Sequence, residues 1–296
     1  MRFDAAIVGG GVAGLQAALT LARSRRSVLL IDAGLPRHRF ATHMHNFLGA
    51  DGLSPDAFYA RVHAELAQYP HVTRLQAQAT HVQHAHGVFQ LTDDSQATHE
   101  ARKLVFANGV RDELPDIEGL ASLWGQEVQH CSYCHGYEAR DKSIAVLTSA
   151  QDALGMAESL LSLSSRLEFY FSGDLPDDAT LDRLQANGIG MEYSKLDAVE
   201  RSASGLMLHL ANGQARQCDV LFVKPHTAAD AALPSMLGCQ LQNGFVQVNE
   251  WGQTHVPGVY AAGDITGGVH QLVAAAGSGL FAAMMLNTEL ARETLR

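Results

Sequence analysis

The stretch Ile7-Val8-Gly9-Gly10-Gly11-Val12-Ala13-Gly14 decides the fold of this chain. A short apolar run, Ala5–Val8, leads into Gly9-x-Gly11-x-x-Gly14, and helical spacing over Leu15–Arg23 leads out of it. A dinucleotide-binding βαβ unit requires that strand–turn–helix context. The first glycine permits the tight turn, and the second lets backbone approach a pyrophosphate. The third lets helix and strand pack closely, with the helix N-terminus facing the phosphates. A second strand, Val28–Ile31, ends at Asp32, 18 residues after Gly14, where a carboxylate can accept from a ribose hydroxyl.

Outward from this unit, residues 36–55 are rich in His, Pro and Gly and read as a loop. A helix near Pro55–Gln68 follows, and residues 71–106 alternate apolar and polar as β-structure does. Asn108-Gly109 is a turn, and Pro115–Gly119 a linker. A second βαβ pattern then begins, with strand Ile144–Leu147, helix Asp152–Leu163 and strand Leu167–Phe171. Helix Ala179–Asn187 and further strands carry the chain to about Cys239. From Gly244 the style of the first unit returns, with Val259-Tyr-Ala-Ala-Gly263-Asp264 before a long apolar helix. The fold class is therefore α/β, with two Rossmann-like, three-layer ββα domains, the second inserted into the first. Residues 1–113 and 244–296 make the first domain, and 114–243 the inserted one. Gly263-Asp264 is a second cofactor signal, because a carboxylate on a tight turn can accept from a polyol chain. The following helix can aim its N-terminal dipole at a developing anion.

The 296 residues suit two domains, and a formal charge of −10 excludes nucleic acid as a partner, since nothing neutralises a row of phosphates. An anionic membrane surface is disfavoured for the same reason. The start runs straight into a strand and leaves no room for a signal peptide, so the expected location is cytoplasmic. The apolar tract Leu272–Leu286, interrupted by Gly277 and Gly279, reads as a buried helix rather than a membrane span.

Two of the four cysteines lie three residues apart, in Cys131-Ser-Tyr-Cys134-His135. Such a pair without a secretion signal is redox-active or metal-binding more often than structural. Zinc would need a second close pair of ligands. Cys218 and Cys239 are 21 positions apart and read as core thiols, so no metal site is expected. His81, His84 and His86 read as solvated. At a helix N-terminus a CxxC thiol is acidified, and two neighbouring sulfurs resolve a mixed disulfide quickly. His135 directly follows the pair, and its imidazole can move a thiol proton in either direction near neutral pH. A redox dithiol beside a nucleotide fold suggests electron transfer between a flavin and a thiol/disulfide pair.

Taken together, Gly9–Gly14, Asp32, Phe106-Ala-Asn-Gly109, the CxxC and Val259–Asp264 resemble the low-molecular-weight thioredoxin reductase family over essentially the whole chain. Cys131-x-Tyr-Cys-His-Gly-Tyr-Glu138 and His43-Met-His45-Asn-Phe-Leu-Gly-Ala-Asp-Gly52 are similar to one branch, the FAD-dependent dithiol oxidases of the gliotoxin and holomycin type. The resemblance implies FAD in the first domain, with Gly9, Gly11, Gly14, Asp32, Gly109 and Gly263 at its site. It further implies flavin contacts from Asn46, Asp264 and Gln271, and a homodimer. It also implies that Cys134 lies against the flavin and that Cys131 meets substrate. His135 stands where other thioredoxin reductases carry an aspartic acid, and His43 and His45 are secondary candidates near the flavin.

Where that family has a second glycine fingerprint for NADPH, this chain reads Thr148-Ser149-Ala150-Gln151-Asp152-Ala153. Of its three key positions only Ala153 fits, because side chains at Thr148 and Ala150 crowd the turn and the pyrophosphate. Where the family places arginines for a 2′-phosphate, the chain has Phe171-Ser-Gly-Asp174-Leu-Pro-Asp177-Asp178, and carboxylates repel that phosphate. The expectation is an FAD-dependent dithiol/disulfide oxidoreductase for which NADPH is not the donor. Its substrate is a small dithiol or disulfide, or a thioredoxin-like protein. Oxygen accepts the electrons, or a ferredoxin-like partner supplies them in the reverse direction. An NAD(P)H-dependent thioredoxin-disulfide reductase and a non-catalytic flavin-bound redox sensor are the alternatives.

Overall fold

The structure, a computed structural model that describes residues 2–295, divides into two compact units. The first comprises the chain up to Arg37, Asp56–Arg111, and Thr227 onward; the second comprises His38–Pro55 and Asp112–His226.

In the first unit a seven-stranded sheet runs in the order Val72–Gln76, Val28–Asp32, Arg2–Val8, Thr98–Phe106, Val88–Asp93, Ala79–Ala85, with Val259–Ala261 also paired to Thr98–Phe106. The strands carrying the glycine turn are parallel, with Ile7 opposite Leu30 and Val8 opposite Phe106. Parallel strands buried on both faces must be apolar at nearly every position, as Ala5–Val8 and Val28–Ile31 are. Ile7, Leu30 and Val105 point to helices Val12–Arg23 and Leu272–Thr294 through Leu15, Leu21, Ala283, Leu286 and Leu290. Val8, Leu29, Ile31 and Phe106 face the opposite layer, with Phe89, Leu91 and Ile265.

The second unit has a five-stranded parallel sheet in the order Gly190–Glu192, Leu167–Phe171, Ile144–Thr148, Val220–Val223, Val128–Gln129. A three-stranded antiparallel sheet, Leu196–Ser202, Gly205–Leu210, Ala215–Cys218, completes it. The two Rossmann-like domains expected from the alternation of strands and helices are thus present.

Two boundaries and the burial of one helix differ from the sequence reading. Residues 227–243 belong to the first unit, because Ala231, Leu233 and Cys239 sit in its core beside Leu91 and Phe106. Segment 38–55 joins the second unit, where Gly125 packs closely on Phe40 and His45 meets Glu138. Helix Leu272–Thr294 is not buried all round: Gly279, Ala282, Ala283, Leu286 and Leu290 face inward, whereas Val273, Phe281 and Met284 are exposed. It is long and apolar enough, by length and composition, to cross a membrane, yet its inner face is committed to the core of its own unit.

Candidate active site

At the head of helix Val12–Arg23 each glycine has its own geometric reason. Gly9 adopts φ +102°, and a Cβ there would lie 2.4 Å from the Ala107 carbonyl oxygen. A Cβ on Gly14 would lie 1.9 Å from the Gly9 oxygen, so strand and helix could not approach as they do. Gly11 caps the helix, and a Cβ there would meet nothing within 4 Å. This combination of a tight turn, close packing and open space over a helix N-terminus fits a pyrophosphate. Asp32 accepts from the Gly10 and Gly34 amides at 3.0 and 3.1 Å, which fixes its carboxylate beside the turn. Asn108 donates to the Asp230 carbonyl, and its own Oδ1 is buried with no hydrogen-bond partner in the protein. Gly109 follows at φ +73°. A buried amide oxygen of this kind costs about 1–3 kcal/mol unless a ligand satisfies it.

Gly263, at φ +79°, starts the turn of Asp264, and its amide donates to Ser278 Oγ at 2.8 Å. Gln271 is the N-cap of helix Leu272–Thr294. Asp264 pairs with Arg37 at 3.1 Å. Arg37 is a functional candidate that sequence reading missed, for it lies in a loop with no motif around it. Asn46, by contrast, lies in the second unit, at φ +62° with its amide bonded to Asp51.

Cys131 and Cys134 form a disulfide. Ser132–His135 make a single helical turn with Cys131 as N-cap, and the Cys134 amide lies 3.1 Å from Cys131 Sγ. The helix N-terminus expected at the CxxC is that of a one-turn helix, which supplies local N–H groups rather than a macrodipole. The turn requires Gly136: a Cβ there would lie 2.3 Å from the Ser132 oxygen and 2.5 Å from Leu163 Cδ1. On the N-terminal side His130 stacks on Trp124, with ring centroids 5.3 Å apart.

His135 sits in a cluster of imidazoles and carboxylates within the second unit. Its Nε2 lies 3.3 Å from the His43 carbonyl oxygen, and its ring meets that of His45 edge-on at 6.0 Å. His45 in turn lies 3.6 Å from Asp51 and 3.7 Å from Glu138. A carbonyl oxygen only accepts, so Nε2 carries the proton and Nδ1 the lone pair. Nδ1 is buried with no hydrogen-bond partner in the protein. Burial holds the imidazole below its ordinary pKa, and the nearby His45 ring adds to this. The His43 carbonyl and Glu138 act in the opposite sense without overcoming it. A neutral imidazole with an unused lone pair can accept a proton.

The second strand–turn–helix has side chains bonded to each other across its turn. Thr148 is fully buried. Ser149 Oγ donates to Asp152 Oδ2 at 2.8 Å, and the Asp152 amide donates back to Ser149 Oγ at 3.2 Å. Helix Ala153–Leu160 therefore begins under a carboxylate of its own chain. At the end of the next strand Asp177 caps helix Asp178–Ala186 by accepting from the Thr180 amide at 2.8 Å, which holds its carboxyl below the usual range.

The remaining cysteines are buried thiols, and burial pushes Cys218 up to about 12 and also raises Cys239. His81, His84 and His86 are exposed, and among the described residues no group of three His, Cys, Asp or Glu side chains could hold a metal ion.

Paired dinucleotide folds with a CxxC disulfide define a disulfide oxidoreductase of the flavoprotein type. The chain belongs to the pyridine nucleotide-disulphide oxidoreductase family, whose model matches residues 3–279, and that family binds FAD. Thioredoxin reductase tcpT of Claviceps purpurea is 32% identical over 97% of this chain and 94% of its own. Thioredoxin reductase sirT of Leptosphaeria maculans is 29% identical over 96% and 93%. Among solved structures, HlmI has a TM-score of 0.95 at 31% identity, covering 99% of this chain and 94% of its own. An oxidoreductase from Agrobacterium tumefaciens has a TM-score of 0.92 at 32% identity, covering 98% and 99%.

Proposed function

We propose that this enzyme oxidises dithiols through the Cys131–Cys134 disulfide, with FAD in the first unit and oxygen as final acceptor, and that it does not draw electrons from NADPH. The substrate is a small dithiol or a thioredoxin-like protein. Its first thiol, deprotonated in solvent, attacks Cys131 Sγ; the Cys131–Cys134 bond breaks and Cys134 leaves as a thiolate. The second substrate thiol gives its proton to His135 Nδ1 and attacks the substrate sulfur of the mixed disulfide. The bond to Cys131 breaks, and the substrate departs as a disulfide, two electrons poorer. The Gly9–Gly14 turn, Asp32, Gly263, Asp264 and Gln271 would hold FAD, which would supply the two-electron acceptor chemistry that returns the cysteines to the disulfide. Oxygen then takes the two electrons and two protons as hydrogen peroxide. The neutral state of His135 favours this direction, since it removes protons at the pH where thiols are oxidised.

One observation supports the reading that NADPH is not the donor. The Ser149–Asp152 hydrogen bond places a carboxylate at the start of the second helix, where a pyrophosphate would need bare amides. Anaerobic titration of the yellow protein tests it. NADPH should leave the flavin absorbance unchanged and dithiothreitol should bleach it. Rapid bleaching by NADPH at micromolar concentration would overturn the reading in favour of an NADPH-dependent reductase. Bleaching by dithiothreitol without peroxide in air would replace oxygen by a protein partner of the ferredoxin type.

The enzyme works as a homodimer in this reading. What supports this is the outer stripe of helix Leu272–Thr294, where Val273, Phe281 and Met284 are exposed and Trp251 meets Phe281 edge-on at 5.9 Å. An apolar stripe of this kind marks an association surface.

A further inference from the structure

Arg37 joins two groups at the start of helix Leu272–Thr294. Its Nη1 lies 3.1 Å from Asp264 Oδ2 and 3.1 Å from His270 Nδ1. All three residues belong to the first unit, and the side chains of Arg37 and Asp264 are only 20% and 19% exposed. A guanidinium has donors and no acceptor, so His270 Nδ1 must accept and the ring proton must sit on Nε2. That nitrogen is itself buried. His270 directly precedes Gln271, the helix N-cap, and Asp264 opens the turn that leads there. One cation thus sets both the orientation of a carboxylate and the tautomer of an imidazole.

We propose that Arg37 is a positioning residue for the flavin, holding Asp264 ready to accept from its polyol chain and holding His270 as an Nε2–H donor. The proposal rests on FAD occupying the first unit. A carboxylate offers about four lone-pair sites, so the contact to Arg37 leaves capacity for a ligand hydroxyl. Left without the guanidinium, Asp264 would rotate toward water and His270 would exchange between its two tautomers. Lysine at this position would keep the charge but lose the planar donor array that orients both partners.

The test compares full-length holoprotein with Arg37→Met and Arg37→Lys. Two quantities are measured: FAD release on dilution, followed by flavin fluorescence, and the ring-nitrogen NMR signals of 15N-labelled His270. The wild type should show a single neutral Nε2–H tautomer. Arg37→Met should release FAD about tenfold faster, the loss of one charge-assisted contact, and should show mixed tautomers. Arg37→Lys should release FAD at an intermediate rate with mixed tautomers. Wild-type FAD release in Arg37→Met, or retention there of the single Nε2–H pattern, would overturn the proposal. Should Arg37→Met fail to fold, Arg37→Lys decides by the same two readouts. Neither measurement involves thiol turnover, so failure here is distinguishable from failure of the Cys131–Cys134 chemistry.

Discussion

His135 and the cysteine pair divide the work at the scale of single residues, and the division can be tested. Asparagine at position 135 keeps a side-chain donor but loses the lone pair that takes a proton. His135→Asn should therefore lower kcat for dithiol oxidation about 10²-fold, within the range for loss of a general base, without changing FAD content. The sign of the pH dependence follows from the lowered pKa of His135, caused mainly by burial. Only the neutral ring accepts a proton, so activity should persist as pH falls through the ordinary imidazole value of about 6.5. It should be lost only below that value, once the ring charges. A rate profile whose acid limb lies above about 6.5 would contradict the assignment. Cys134→Ser should abolish bleaching by dithiothreitol altogether, and turnover surviving that change would remove the disulfide from the mechanism. Sequence adjacency was enough to make His135 a candidate proton carrier. Its tautomer was not legible, because the backbone carbonyl that fixes it comes from His43, 92 residues earlier. Gly136 was hidden because the Ser132 carbonyl oxygen comes against its Cα only once the one-turn helix has closed, with Leu163 packed beside it.

Elements show the same division between local pattern and distant contact. Gly9, Gly11 and Gly14 were readable because they form one spaced pattern in a single turn, although the contact that bars a side chain at Gly9 comes from Ala107. Gly279 was not: it read as an interruption of an apolar helix, whereas it lets that helix touch the first one. A Cβ there would lie 2.1 Å from the Ala13 carbonyl oxygen, a backbone atom that cannot step aside. Gly279→Ala should force the two helices apart and cost about 1–3 kcal/mol, the usual range for overpacking, measurable by urea unfolding. The far end of the same helix is tied to strand Thr98–Phe106 by Lys103, which bonds Glu289 and Glu293. Burial opposes the Lys103 charge, but the two glutamates outweigh it and raise its pKa; Glu293 is lowered, chiefly by its bond to Lys103. The raised lysine contributes stability that is full below its unfolded pKa and lost as pH rises through the folded one. The depressed glutamate contributes stability present above its unfolded value and lost as pH falls through the folded one. Glu293→Gln should therefore lower stability at neutral pH, where the contribution is present, and make the loss of stability below about pH 4.5 shallower. An unaltered acid limb would show that the pair contributes nothing there.

For the whole molecule, the alternation of strand and helix made the two-domain α/β plan readable, because each buried parallel strand must be apolar along its length. The chain crossings were less so. Residues 227–243 carry no Rossmann pattern of their own, and Leu233 and Cys239 join the first core only once the chain is folded. The outer face of helix Leu272–Thr294 escaped notice because apolar content alone does not say which positions are covered. Val273, Phe281 and Met284 fall 8 and 3 positions apart, which on a helix places them along one stripe, and all three are exposed. Burying an exposed phenylalanine gains about 1.5–3 kcal/mol, so a second copy meeting this stripe would be held largely by Phe281 and its neighbour Trp251. Phe281→Glu puts a charge at the centre of that contact while leaving Ala282, Ala283 and Leu286 packed inward. The variant should elute as a monomer in size-exclusion chromatography at concentrations where the wild type elutes as a dimer, with its circular dichroism unchanged. A wild type that is monomeric, or a Phe281→Glu variant that remains dimeric, would move the interface elsewhere. A charge at position 281 should strip away the partner and nothing else, because the inner face of the helix already belongs to its own core.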